Sequence, residues 1–364
     1  MLGETSGIID TCMMPAWKSD NEVNEWFPEP WRSKRRLPAM LRNMYPAPTG
    51  IAPYGEFLDE ARGPDDSFPG SDPGKIIGRM DADGVSQAVL MPQTRGPQPD
   101  IDMGTVLCAA TNKWLAAQWL GKEGMQDRFL GTIRVNAEDP SAAVEEIETW
   151  AAHPKMVQIG IPLDARRPYG QRNYFPIWEA AAKYHMPVAI HSDGSASANY
   201  APTMVGYPRK YIDFTSQESI NYIHHVASFI MEGVFERLPD LKILLADGGH
   251  DMAMTLMWRM DIDFPISRHE VPWMTMPPSG YLRPHLRFRT ARMEGPPPGP
   301  RRVEWLKASE AADLLVYGSN YPHWTAMHPQ DVFPDLTEAQ QQQVLRGNAL
   351  ELYAARLAQT PVRA

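Results

Sequence analysis

The chain has 364 residues, with 35 basic and 44 acidic side chains and a formal net charge of −9. Hydrophobic residues at 43% and charged residues at 22% exclude wholesale disorder, and the length accommodates one large core with long insertions. The acidic balance speaks against a nucleic-acid partner.

Short aliphatic runs recur along the chain. Ile8-Ile9 opens the first, followed by 86–91, 129–135, 156–161, 187–191, 241–247, 286–289 and 313–319. Each has the length of a buried parallel strand. Helix-period segments lie between them, clearest at 141–152, 174–185 and 338–357, and Asp139-Pro140 is a helix-start signal. Eight alternations of strand and helix predict a single-domain α/β protein over 1–364, a (β/α)₈ TIM barrel.

Three stretches rich in Pro, Gly and aromatics interrupt the pattern, at 15–74 after strand one, 192–220 after strand five and 261–302 around strand seven. The first two follow strand C-termini, where barrel active sites and their covers are built. The 15–74 insert is expected to form a lid or an interface arm, with Trp26, Phe27 and Trp31 covering the mouth, meeting a neighbour or packing on their own barrel. The basic cluster Arg32, Lys34, Arg35 and Arg36 reads as a solvated face. Two cysteines, Cys12 and Cys108, make no disulfide framework, so a reducing compartment is expected. No apolar run is long enough to span a membrane, and the segment MLGETSGIID lacks a signal-peptide core. The expectation is a cytoplasmic protein.

Polar side chains at strand C-termini are the chemical candidates: Cys12 and Met14 after strand one, His191 ending strand five, Asp247 ending strand six and Asn320 after strand eight, with His250 and His323 close behind. His191 with Asp247 offers a base and its orienting acid, and Asn320 or His323 could steady an oxyanion. Cys12, His191 and Asp247 together offer S, N and O donors. Cys12 reads more simply as a small buried apolar residue. His224 and His225 lie in a helical stretch and are read as structural. No P-loop, dinucleotide fingerprint or GxSxG elbow is present.

These positions carry a resemblance. The segment 233–249, Gly-Val-Phe-Glu-Arg-Leu-Pro-Asp-Leu-Lys-Ile-Leu-Leu-Ala-Asp-Gly-Gly, resembles the sixth strand of the amidohydrolase-related proteins. That group includes aminocarboxymuconate-semialdehyde decarboxylase and γ-resorcylate decarboxylase. Tyr317-Gly-Ser-Asn-Tyr-Pro-His-Trp324 is similar to the group's strand-eight Ser-x-Asp-Tyr-Pro-His-Trp, and Leu345-Arg-Gly-Asn-Ala349 to its closing helix. The resemblance runs from Ile8 to about Tyr353. It implies a divalent metal held after strands one, five and eight, and hydrolysis or non-oxidative decarboxylation as outcomes.

The chain departs from that pattern where the metal would bind. Cys12 and Met14 stand where an acid or His and a His belong, and Asn320 replaces the strand-eight Asp. Neutral Asn and thioether Met are weak ligands for zinc or harder ions. The first expectation is therefore an accessory subunit, non-catalytic and without a cofactor, paired with an intact paralogous amidohydrolase. The alternative is an active hydrolase or decarboxylase of altered chemistry on a small aromatic or carboxylated substrate. It would use one divalent metal (zinc, manganese or iron) in a non-standard site, in a homo-oligomer. A small-molecule binding protein is a third possibility.

Overall fold

A computed structural model describes residues 7–34, 57–94, 98, 100–125, 127–193 and 209–358. Eight parallel strands follow one another around a sheet in the order of the sequence: β1 Ile8–Met13, β2 Val85–Leu90, β3 Phe129–Arg134, β4 Met156–Pro162, β5 Val188–His191, β6 Ile243–Leu245, β7 Leu286–Arg289 and β8 Leu315–Val316. Backbone bonds from Thr11 N to Tyr317 O (2.9 Å) and from Asn320 N to Cys12 O (3.1 Å) bring the last strand back to the first. The result is the expected (β/α)₈ barrel.

The principal outer helices are α1 Pro73–Ala82, α2 Ile101–Leu115, α3 Pro140–Ala151, α4 Phe175–Lys183, α5 Tyr211–Met231, α6 His250–Ser267, α7 Pro300–Ala308 and α8 Asn348–Ala358. Their starts follow local chemistry. Asp72, Asp100 and Asp139 each cap a helix by accepting a backbone N–H, and Pro73 and Pro140 occupy first helical positions, where a missing N–H costs nothing. The expected helix over 338–357 is divided by a widened turn at Gln343–Gly347. That turn sets Asn348 to clamp the carbonyls of Ala312 and Leu315. Strand eight is shorter than its aliphatic run, because Ala311–Leu314 turns helically and 318–320 bends into the mouth.

The barrel interior is layered. Ile9, Val89, Leu130, Val157, Ala189, Leu244 and Val316 come from seven of the strands and pack with Ala349, Leu352 and Tyr353 of α8. The missing stave is β7. Its alternation places Leu286 and Phe288 in the outer core, leaving Arg287 and Arg289 on the other face. Arg289 is fully buried, and it fits because residue 318 has no side chain: a Cβ there would meet Arg289 Cδ at 2.9 Å.

The described part of the 15–74 insert packs on its own barrel, with Phe27 buried in the main core and Trp26 and Trp31 against it. Arg35 and Arg36 lie outside the described residues. No helix among the described residues is long and apolar enough to cross a membrane.

Candidate functional site

Four of the side chains singled out from sequence meet at the C-terminal mouth of the barrel. His191 ends β5, Asp247 follows β6, Cys12 lies in β1, and Asn320 follows β8 with a φ of 62°, a left-handed conformation that Asn tolerates. All four are at most 2% exposed. Asn320 joins them: its Oδ1 lies 3.2 Å from His191 Nε2 and 3.7 Å from Cys12 Sγ, while its Nδ2 donates to Asp247 Oδ1 at 3.1 Å. An amide accepts from an imidazole and donates to a carboxylate at once, which an ionised Asp cannot do, so Asn suits both neighbours. His191 Nε2 lies 3.8 Å from Asp247 Oδ2.

Supporting contacts hold these groups. Asp247 Oδ2 accepts from Tyr222 Oη at 3.1 Å and from the Ser192 backbone N–H at 3.3 Å. Asp10 Oδ1 accepts the N–H groups of Cys12 (2.8 Å) and Ser319 (3.0 Å), tying β1 to the β8 turn. Met14 points into the same inner layer, and its Sδ receives Gln93 Nε2 at 3.4 Å.

The electrostatics follow from burial and neighbours. Burial works against charge on His191, but the Asp247 carboxylate and then Cys12 outweigh it and raise the pKa to about 9. Burial pushes Asp247 up, yet His191, and after it Arg292, bring it below the ordinary carboxylate range. Burial lifts Asp10 to about 6 against its hydrogen bonds. His323 is driven down to about 3, first by burial and then by Arg292. Its Nδ1 receives Thr325 Oγ1 (2.6 Å) and Thr325 N (3.3 Å), so the ring proton sits on Nε2.

Three groups here escaped the sequence reading. Arg289 has no carboxylate partner among the described residues. Its Nη2 donates to Thr11 O at 2.8 Å, its Nη atoms approach Met91 Sδ at 3.6 and 3.8 Å, and its Nε has no acceptor. Arg134 and Asp193 form a fully buried ion pair at 2.5 Å, joined by Thr94. The third is Tyr222. His225 and His250 are structural: His225 bonds Tyr169 N and Leu163 O, and His250 bonds Ser309 O.

The donors also bear on a metal ion. Ligand atoms about 2.0–2.3 Å from one ion lie about 3–4 Å from each other, and His191 Nε2 lies within that range of both Asn320 Oδ1 and Asp247 Oδ2. No group of three or more His, Cys, Asp and Glu side chains among the described residues could hold a metal. The set therefore fits a divalent ion only with Asn320 Oδ1 as third donor, a weaker hold than three charged or imidazole ligands. An ion bound there displaces the His191 proton.

Comparison with known proteins completes the picture. The amidohydrolase family profile matches residues 30–355. γ-Resorcylate decarboxylase from Rhizobium sp. is 23% identical over 75% of this chain and 84% of its own length. The crystal structure of an amidohydrolase from Mycobacterium avium subsp. paratuberculosis superposes with a TM-score of 0.71 at 18% identity, covering 95% of this chain and 97% of that one. An Asp→Asn variant of 5-carboxyvanillate decarboxylase from Novosphingobium aromaticivorans, crystallised with bound manganese and 3-methoxy-4-hydroxy-5-nitrobenzoic acid, superposes with a TM-score of 0.68 at 20% identity, covering 97% and 98%. These structures share the fold. The expectation of a protein without a cofactor is corrected here, because solved decarboxylases of this fold carry a divalent metal. The named relatives also favour the enzyme alternative over the accessory subunit. With most of its length matched by the profile, the chain belongs to the amidohydrolase family.

Proposed function

We propose that the chain is a non-oxidative decarboxylase of a small aromatic carboxylic acid, working with one divalent metal ion such as manganese. The observation that carries this reading is the convergence of His191, Asp247 and Asn320 at the barrel mouth, buried and within 3.1–3.8 Å of one another. Those three residues would hold the ion, and Cys12 lies beside them. When bound, the ion supplies positive charge for the carboxylate and ring oxygens of a substrate.

The remaining roles belong to the protein alone. His323 stays neutral and offers its Nε2 proton as a hydrogen bond to a substrate oxygen. Arg289 adds a fixed positive charge beneath the mouth, favouring an anionic ligand. Tyr222 holds its proton on Oη against Asp247 Oδ2 and so keeps that carboxylate in one orientation. The reaction balances without an oxidant: a proton drawn from solvent joins the ring carbon, the carbon–carboxylate bond breaks with its electron pair left on that carbon, and carbon dioxide departs.

The protein also self-associates in this reading. Trp258, Ile262 and Ile266 recur every four residues along α6, exposed by 49%, 69% and 82%. A second copy of the chain suits such a stripe better than water does.

The test is carbon dioxide release from a panel of hydroxybenzoates, with and without added manganese. Turnover that requires the metal and disappears in Asp247→Asn is the expected result. Silence across the panel from metal-loaded protein overturns the proposal.

A further inference from the structure

Strand β5 leaves its ladder at His191. The His191 carbonyl accepts Leu163 N at 2.8 Å, and on the other side Ile190 O accepts Ala246 N at 3.0 Å. Ser192 and Asp193 lie beyond those bonds, at the root of the 192–220 insert, and side chains fix them instead. The Ser192 N–H donates to Asp247 Oδ2 at 3.3 Å. One residue on, Asp193 Oδ2 accepts from Arg134 Nη2 at 2.5 Å, from Thr94 N at 2.9 Å and from the Thr94 hydroxyl. The ends of separate strands thus converge on one carboxylate oxygen: Arg134 ends β3, Thr94 follows β2 and Asp193 follows β5.

The anchor is itself held rigidly. Asn112 of α2 clamps the Arg134 backbone, accepting its N–H at 2.7 Å and donating to its carbonyl at 2.8 Å. The guanidinium lies against Gly160 of β4, where a Cβ would meet Nη1 at 2.7 Å. Both side chains of the pair are fully buried. Their bonding is nevertheless incomplete: Arg134 Nε and Nη1 and Asp193 Oδ1 have no hydrogen-bond partner among the described residues. A buried ion pair short of partners returns little net stability, because desolvation of both charges opposes their attraction. What the pair supplies is a fixed place for Asp193, and through the adjoining peptide units for the Ser192 N–H and the His191 backbone.

We propose that Arg134 and Asp193 are positioning residues of the mouth. They hold the turn after β5 so that the Ser192 N–H keeps its grip on Asp247 and His191 stays in line with it. Both act through the backbone, without touching a substrate. The catalytic consequence rests on the decarboxylase reading, whereas the geometric one does not. Groups that orient a metal ligand from behind typically govern affinity or turnover by about 10–100-fold.

The experiment uses the full chain carrying Arg134→Met and Asp193→Leu together, which removes both charges at once and keeps the buried volume. A Tm close to that of wild type is expected, since no charge is left unpaired. Hydrogen exchange at the Ser192 amide, read by NMR, is expected to quicken at least about tenfold, while the ladder amides of Ala88 and Val188 keep their rates. Manganese affinity in titration calorimetry is expected to weaken at least about tenfold. Thr94→Val keeps the ion pair and removes only the hydroxyl bond. It is expected to move both readings the same way by less, and it carries the test if the double variant does not fold. Unchanged exchange at Ser192 in a folded variant overturns the proposal. An equal rise at all three amides does so too, since it marks the pair as general structural support, as does undiminished manganese binding where Ser192 exchange has quickened. Faster exchange at Ser192 alone, in a protein whose wild type binds no manganese, upholds the positioning and refutes the metal-dependent reading instead.

Discussion

Replacing Asn320 by Asp restores the acid that the resemblance leads one to expect, and the outcome discriminates between a proton-bearing and a metal-bearing mouth. Without metal, the new carboxylate faces Asp247 where the amide donated at 3.1 Å, and faces His191 Nε2 where it accepted at 3.2 Å. At an effective dielectric constant of about 20, each of these charge pairs is worth roughly 5 kcal/mol, with opposite signs. They nearly cancel. What remains is the desolvation of a second buried carboxylate, several kcal/mol, and the lost amide hydrogen bond, about 1 kcal/mol. A net loss of about 3–5 kcal/mol follows. Unfolding entropy of about 2.1 cal/mol/K per residue, taken over 364 residues, converts this into a Tm lower by about 4–7 °C. Manganese should reverse most of that loss, since saturation at a hundred times Kd returns about 2.7 kcal/mol. The assay is differential scanning calorimetry of both proteins at pH 8, with and without manganese. An unchanged Tm without metal, or equal stabilisation of both proteins by manganese, would refute the reasoning.

Three further outcomes are expected. Asp193→Ala leaves the Arg134 guanidinium buried and unpaired; a loss of about 3–5 kcal/mol in urea unfolding is expected, and a loss under 1 kcal/mol would show that water replaces the carboxylate. His225 and His250 are held near pKa 4 by burial, below the ordinary 6.5, so their contribution is fully present above pH 6.5 and is lost as pH falls toward 4, by about 3 kcal/mol each. Urea midpoints between pH 7 and 4.5 measure this, and His225→Gln should flatten the curve. Ile262→Glu, on the exposed stripe of α6, is expected to convert the assembly to monomers in light scattering without lowering helical content; a wild-type chain that is itself monomeric contradicts the association.

The barrel was legible because its strands are short aliphatic runs, and buried parallel strands admit little else. His191, Asp247 and Asn320 were legible by position, since a polar residue closing such a run lands at the mouth. That Asn320 is chemically matched to both neighbours was not legible, because the match depends on a 73-residue separation closing to 3.1 Å. Arg289 left a signal that was passed over. Leu286-Arg-Phe-Arg289 alternates with period two, so in a closed barrel one face of that strand must carry both arginines inward. Tyr222 left none, because a tyrosine on a long helix is ordinary packing until the fold sets it against Asp247. The buried pair Arg134–Asp193 joins positions 59 apart and had no local mark either.

The fit of Arg289 against Gly318 couples two distant codons. With a methyl at 318, a long side chain at 289 meets its Cβ at 2.9 Å, so Gly318→Ala alone displaces the guanidinium or opens the strand seam. Shortening 289 alone leaves a hollow beneath the mouth. Exchanged together, the two changes offset each other, so their joint effect is smaller than the sum of the separate ones. Gly318 and Arg289 therefore act as one fitted pair, and the charge under the mouth depends on both.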